Sequence, residues 1–100
     1  MRGRRLLLVG VAAALCERAL GTDPRHADAL HVLALVRSAT GRPLEAAELL
    51  RRAIAVDPSR PEFFNNLGEA LRAAGDHAAA ISAYQSAIAL NPNYAVAFSN

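Results

Sequence analysis

One hundred residues suffice for one small domain, 53% of them hydrophobic but only 5% aromatic, which favours slim helices packed through small side chains over a thick aromatic core. The formal charge is +2, but Arg2, Arg4 and Arg5 supply three of the eleven basic residues, and the remainder faces nine acids. No basic stripe is left to follow a phosphate backbone, which argues against nucleic acid as a partner.

In chain order, the first predicted helix covers residues 8–21. Cys16 lies on it as the only cysteine, so no intrachain disulfide can form, and it reads as a small apolar filler. Met1–Arg5 is positive and Leu6–Leu15 is apolar, a pattern that imitates a secretory signal peptide. Against that, Cys16, Ala19 and Leu20 carry a repeat pattern straight through the would-be junction. The favoured reading is a terminal repeat helix in a cytoplasmic protein. The alternative is a secreted or periplasmic one, with Met1–Ala14 as its signal. The apolar run is too short to span a membrane.

Four further helices are predicted over residues 27–40, 43–56, 61–74 and 77–90, with another starting near 94. The punctuation is regular. Pro24, Pro58 and Pro92 recur at a constant interval of 34 residues, behind Asp23, Asp57 and Asn91. The residue before a proline is pushed out of the α region, so each pair ends a helix. Gly41 and Gly75 stand at the same interval and suit helix C-termini. Pro43 is tolerated in a first helical turn, and Asp76 suits an N-cap.

Other columns repeat in phase: Ala46 with Ala80, Leu50 with Tyr84, Ala53 with Ala87, Ile54 with Ile88, Leu33 with Leu67, Ala34 with Gly68, and Leu30 with Phe64 and Phe98. Phe64, Leu67, Gly68 and Leu71 form one helical face. Ala34 and Gly68 mark places where two helix axes must approach closely. A fixed period of this size means an array of one supersecondary unit.

The second unit reads Phe64-x₂-Leu67-Gly68-x₂-Leu71, then Ala80-x₃-Tyr84, then Pro92. The first reads Leu30-x₂-Leu33-Ala34, then Ala46-x₃-Leu50, then Pro58, with Arg37 where an apolar residue is usual. This pattern resembles the tetratricopeptide repeat. The resemblance implies an all-α, right-handed α-solenoid of antiparallel helix pairs, with two full repeats and a partial repeat at each end. The expected units are 1–26, ending in the second helix of a partial repeat; 27–60; 61–94; and 95–100, the start of a further repeat. Such a chain reads as a piece of a longer array, prone to self-association through uncapped terminal helices. At Arg37 the stem is expected to lie over the groove with its head in water.

The helix face not packed on the partner helix carries Glu62, Asn65, Asn66, Glu69 and Arg72 in the second unit. In the first it carries Asp28, His31, Val32, Leu35 and Ser38. In the resembled family the first helices line the concave side of a superhelix where peptides bind, so these residues become the candidate groove. Asn66 recurs as Asn100 one period later. The Asn-Leu-Gly motif is similar to the repeats of protein O-linked N-acetylglucosamine transferases, where such asparagines hydrogen-bond an extended peptide's backbone. Val32 breaks that ladder in the first unit. A rival family mode clamps a C-terminal carboxylate with Lys and Asn. This chain has no Lys, and His31 and Leu35 hold those positions, which argues against the clamp.

No nucleophile, base and orienting group stand at a motif spacing. His26, His31 and His77 fall at helix starts or on the groove face, and zinc spacings are missing around Asp23, His26 and His31. No cofactor and no catalysis are expected of this segment. The leading expectation is a scaffold that binds protein or extended peptide. The alternatives are the substrate-recruiting region of a glycosyltransferase and a secreted assembly factor.

Overall fold

The computed structural model describes the backbone of residues 2–93 and the side chains of residues 7–93. Five helices follow one another: α1 (Arg2–Thr22), α2 (Ala27–Ala39), α3 (Pro43–Val56), α4 (Pro61–Ala73) and α5 (His77–Leu90). There is no strand among the described residues. The last four helices match their predicted spans to within a residue. The first begins at Arg2, ahead of the predicted start at residue 8, because no proline interrupts the Arg- and Leu-rich run before it. The helix predicted from residue 94 lies outside the described residues. No helix among them is long and apolar enough to cross a membrane.

The turns explain the repeated punctuation. α2 and α4 each end on a left-handed glycine, Gly41 at φ +75° and Gly75 at φ +90°. The next amide closes a six-residue loop back into the helix, Arg42 N–H to the Arg37 carbonyl at 2.8 Å and Asp76 N–H to the Leu71 carbonyl at 2.9 Å. This is the Schellman arrangement, which satisfies carbonyls the helix leaves open. The acid or amide before each proline also has one job in all three places. Asp23, Asp57 and Asn91 accept through Oδ1 from the amide two residues on, that of Arg25, Ser59 and Asn93, at 3.0–3.1 Å. Such an Asx turn closes the chain reversal that the proline opens. Helix starts differ more. His26 Nδ1 and Asp76 Oδ1 cap α2 and α5, whereas α3 and α4 open on Pro43 and Pro61 with no side-chain cap.

Short connections make neighbouring helices antiparallel, and each packs on the next along the chain. The small residues sit where the helices converge. Ala34, Ala46 and Ala53 are fully buried, and Ala80 and Ala87 nearly so. Gly68 is required by its neighbour, since a Cβ built there would meet the Tyr84 ring at 2.7 Å. Cys16 is buried as a filler, and burial, reinforced by Glu17, pushes its thiol up, away from reactivity.

Two sequence expectations change. Phe64 is only half-buried, while Phe63 beside it is fully buried with Leu30 and Ala53. α4 is packed on two sides. Leu67, Gly68 and Leu71 meet α5, and Phe63 looks back toward the preceding pair. Phe64 lines an open hollow with Arg51, Leu67, Leu71, Ser82 and Ser86. Arg37, expected to end in water, instead donates from Nη2 to Glu17 at 2.9 Å, with Nε 3.4 Å from Glu45. It ties α1 and α3 to α2. On α1 itself Leu7, Leu8, Val11 and Leu15 stay exposed.

Candidate functional site

The predicted groove residues lie on the adjoining α2 and α4. They are not a row of free side chains, as a solvated face would be: His31 is joined to Asn66 and Glu69 to Arg72, and Asp28 and Glu62 are tied together through Arg60. Asn100 lies outside the described residues.

At one end the organiser is Arg60, in the turn before α4. Proline at position 61 holds Arg60 extended (φ −100°, ψ 108°), which aims its side chain back toward α2. Its Nη1 donates to Asp28 Oδ1 at 2.5 Å and its Nε to Glu62 Oε1 at 2.8 Å. The guanidinium carbon stands 4.3 Å from the centre of the Phe63 ring, in cation–π geometry. Hydrogen bonds from Arg60 hold both carboxyls below their usual range and raise the guanidinium's own value. Asp28 and Glu62 also occupy first turns, where the helix dipole favours negative charge.

The imidazole of His31 lies against the same Phe63, with ring centres 5.0 Å apart at an angle of 59°. Burial, with Arg60 adding to it, pushes His31 below the ordinary histidine value, so the ring is neutral at pH 7. Its Nε2 sits 2.7 Å from Asn66 Nδ2, a bond that joins the two repeats across the face.

At the other end Glu69 is the hub. It accepts from Arg72 Nη2 at 2.7 Å and from the Tyr84 hydroxyl at 2.8 Å, and Arg72 foremost holds its carboxyl low. Glu69, Arg72 and Ser38 line an open hollow of about 490 Å³ with Gly41, Pro43 and Ala73. Between the two ends along α2, Val32 and Leu35 are 41% and 44% exposed. Asn65 is half-buried beside Asn66. The face thus offers a carboxamide and two exposed aliphatic side chains between charged ends. Such a surface can hold a chain by hydrogen bonds and apolar contact.

Sequence reasoning missed Arg60 and Phe63. Arg60 shares its column with His26, an N-cap, so the two repeats give no common residue type to notice. Only its place before Pro61 signalled an extended backbone. His31 and Asn66 lie one residue off the repeat interval, so comparison by column does not pair them. Among the described residues no three His, Cys, Asp or Glu side chains gather as a metal site. Asp23 is used in its turn and His26 in its cap.

None of the curated proteins matches the chain. Solved structures do. A Thermobaculum terrenum O-GlcNAc transferase mutant is 37% identical with a TM-score of 0.83, over 86% of this chain and 16% of that one. A crystal structure of MamA is 23% identical with a TM-score of 0.78, over 87% of this chain and 48% of that one. MamA MSR-1 is 17% identical with a TM-score of 0.79, over 89% and 51%. The chain therefore spans a sixth of the transferase and about half of the MamA chains, and the MamA likeness is one of fold. The family model of the tetratricopeptide repeat matches residues 31–95. With its paired helices, its left-handed glycines and its close Gly68–Tyr84 contact, the chain belongs to the tetratricopeptide repeat family.

Proposed function

We propose that the joined face of α2 and α4 is a binding surface for an extended peptide segment of another protein, and that this segment acts by binding without chemistry of its own. The observation that carries this reading is Asn66. It is half-buried and held by His31 through one atom of its carboxamide. The other end of the amide remains available to a peptide group, whatever the side chains of the bound chain. Val32 and Leu35 supply apolar contact beside it, and the Ser38–Glu69–Arg72 hollow receives a polar side chain. The test is selection of peptides from a random library on the intact chain. Asn66→Ala is expected to weaken the selected peptides about tenfold, as for loss of a buried hydrogen bond. Arg51→Ala, on the opposite side of the α3–α4 pair, should leave them unchanged. Equal losses from both variants would sink the assignment of the face.

A second reading is favoured by the likeness to the Thermobaculum terrenum O-GlcNAc transferase mutant at 37% identity. On it the same face recruits protein substrates for a glycosyltransferase. An α/β catalytic domain encoded in the same reading frame would support it, and a frame without one would end it.

A further inference from the structure

The amide of Asn66 is oriented by one neighbour. Its Nδ2 faces Nε2 of His31 at 2.7 Å. Its Oδ1 takes part in no hydrogen bond, and no buried side-chain nitrogen or oxygen among the described residues lacks a partner, so Oδ1 is not shut off from solvent. A ring nitrogen accepts only while it carries no proton. The contact therefore belongs to a neutral ring with its proton on Nδ1. If Nε2 gains a proton, it becomes a donor. The carboxamide must then turn over, giving Oδ1 to the ring and pointing Nδ2 outward.

We propose that His31 is the positioning residue for Asn66, and that the proton on its Nε2 decides whether the face offers a peptide group an acceptor or a donor. In the neutral state the outward atom is Oδ1, which takes a peptide N–H. In the charged state it is Nδ2, which seeks a peptide carbonyl. The two states read a strand in registers one hydrogen-bonding group apart. This builds on the peptide-binding reading of the face.

The charged groups around the ring fix which state prevails. Arg60 opposes the proton, while Asp28 and Glu62 favour it. Both carboxylates are already engaged by Arg60, and burial against Phe63 outweighs their pull. The ring is accordingly neutral at pH 7, and the switch lies on the acid side of 6.5.

The test follows the Asn66 side-chain amide signals and the His31 ring nitrogens by NMR in the intact chain, from about pH 8 down to about pH 5. The ring shifts read the tautomer directly. The Asn66 amide signals should move with a single midpoint, that of the ring and below 6.5. His31→Gln, which cannot gain a charge, should abolish that movement. Amide signals that stay flat while the ring titrates in the wild-type chain overturn the proposal, and so does a neutral ring protonated on Nε2. Peptides selected from a random library at about pH 7.5 should lose roughly tenfold in affinity as the ring protonates, a loss absent in His31→Gln. A library that yields no binder fails the peptide-binding reading alone, because the amide signals are read without ligand.

Discussion

At the level of single residues the clearest dependency is between Gly68 and Tyr84. Tyr84 is 6% exposed, and its ring occupies the space that any Cβ at position 68 would take. The first repeat meets the same spacing with a different pair, Ala34 and Leu50, both almost fully buried. Gly68→Ala is therefore expected to destabilise the chain by about 1–3 kcal/mol through overpacking. Adding Tyr84→Leu, which reproduces the first repeat's solution, should recover part of the loss although it removes the bond to Glu69. Thermal melts of the single and double variants check this. The need for a small residue at 34 and 68 was legible in the sequence, because both positions fall in one column. The partner's hydroxyl reaching Glu69 was not, since its counterpart Leu50 has none.

Among the helices, the contact between repeats rests on Phe63. It lies fully buried with Leu30 and Ala53, with the Arg60 guanidinium over its ring face and the His31 ring tilted against it. Phe63→Ala should cost about 3–5 kcal/mol and loosen α4 from α2 and α3. Phe64→Ala, at the half-buried neighbour, should cost clearly less. Chemical denaturation of both variants distinguishes them. Equal losses would restore Phe64 to the place its column suggests. The last four helices were readable almost to the residue, because Gly41, Gly75 and the Asx–Pro pairs end them by local chemistry, whereas the start of α1 carries no such signal. Which of two adjacent phenylalanines is buried was not. A helix in a stack is packed on two sides, and a single spacing pattern describes only one of them. Arg60 was hidden for a related reason. Its partners Asp28 and Phe63 come from different helices, and the residue itself stands in a turn.

Across the whole molecule, α1 is attached differently from the rest. Among its described side chains only Cys16 is buried, Leu20 packs against the Leu30–Ala53–Phe63 cluster, and Arg37 bridges it through Glu17 while also reaching Glu45 on α3. Glu17 is 57% exposed, so this tie is weakened by salt. Arg37→Gln should raise hydrogen exchange in residues 7–22 selectively, leaving α4 and α5 as protected as before. A uniform rise across all helices would instead place Arg37 in the common core.

The packing of Tyr84 also gives the molecule a built-in optical probe. The chain has no tryptophan and two tyrosines, of which Tyr84 is the one within the described residues. Its ring is fixed against Gly68 and its hydroxyl donates to Glu69. A phenol held in one asymmetric setting contributes to the near-ultraviolet circular dichroism, a signal that disappears once side-chain packing is lost. The closing of α5 on α4 can thus be watched in the unlabelled protein, separately from the helix content that the far-ultraviolet region reports.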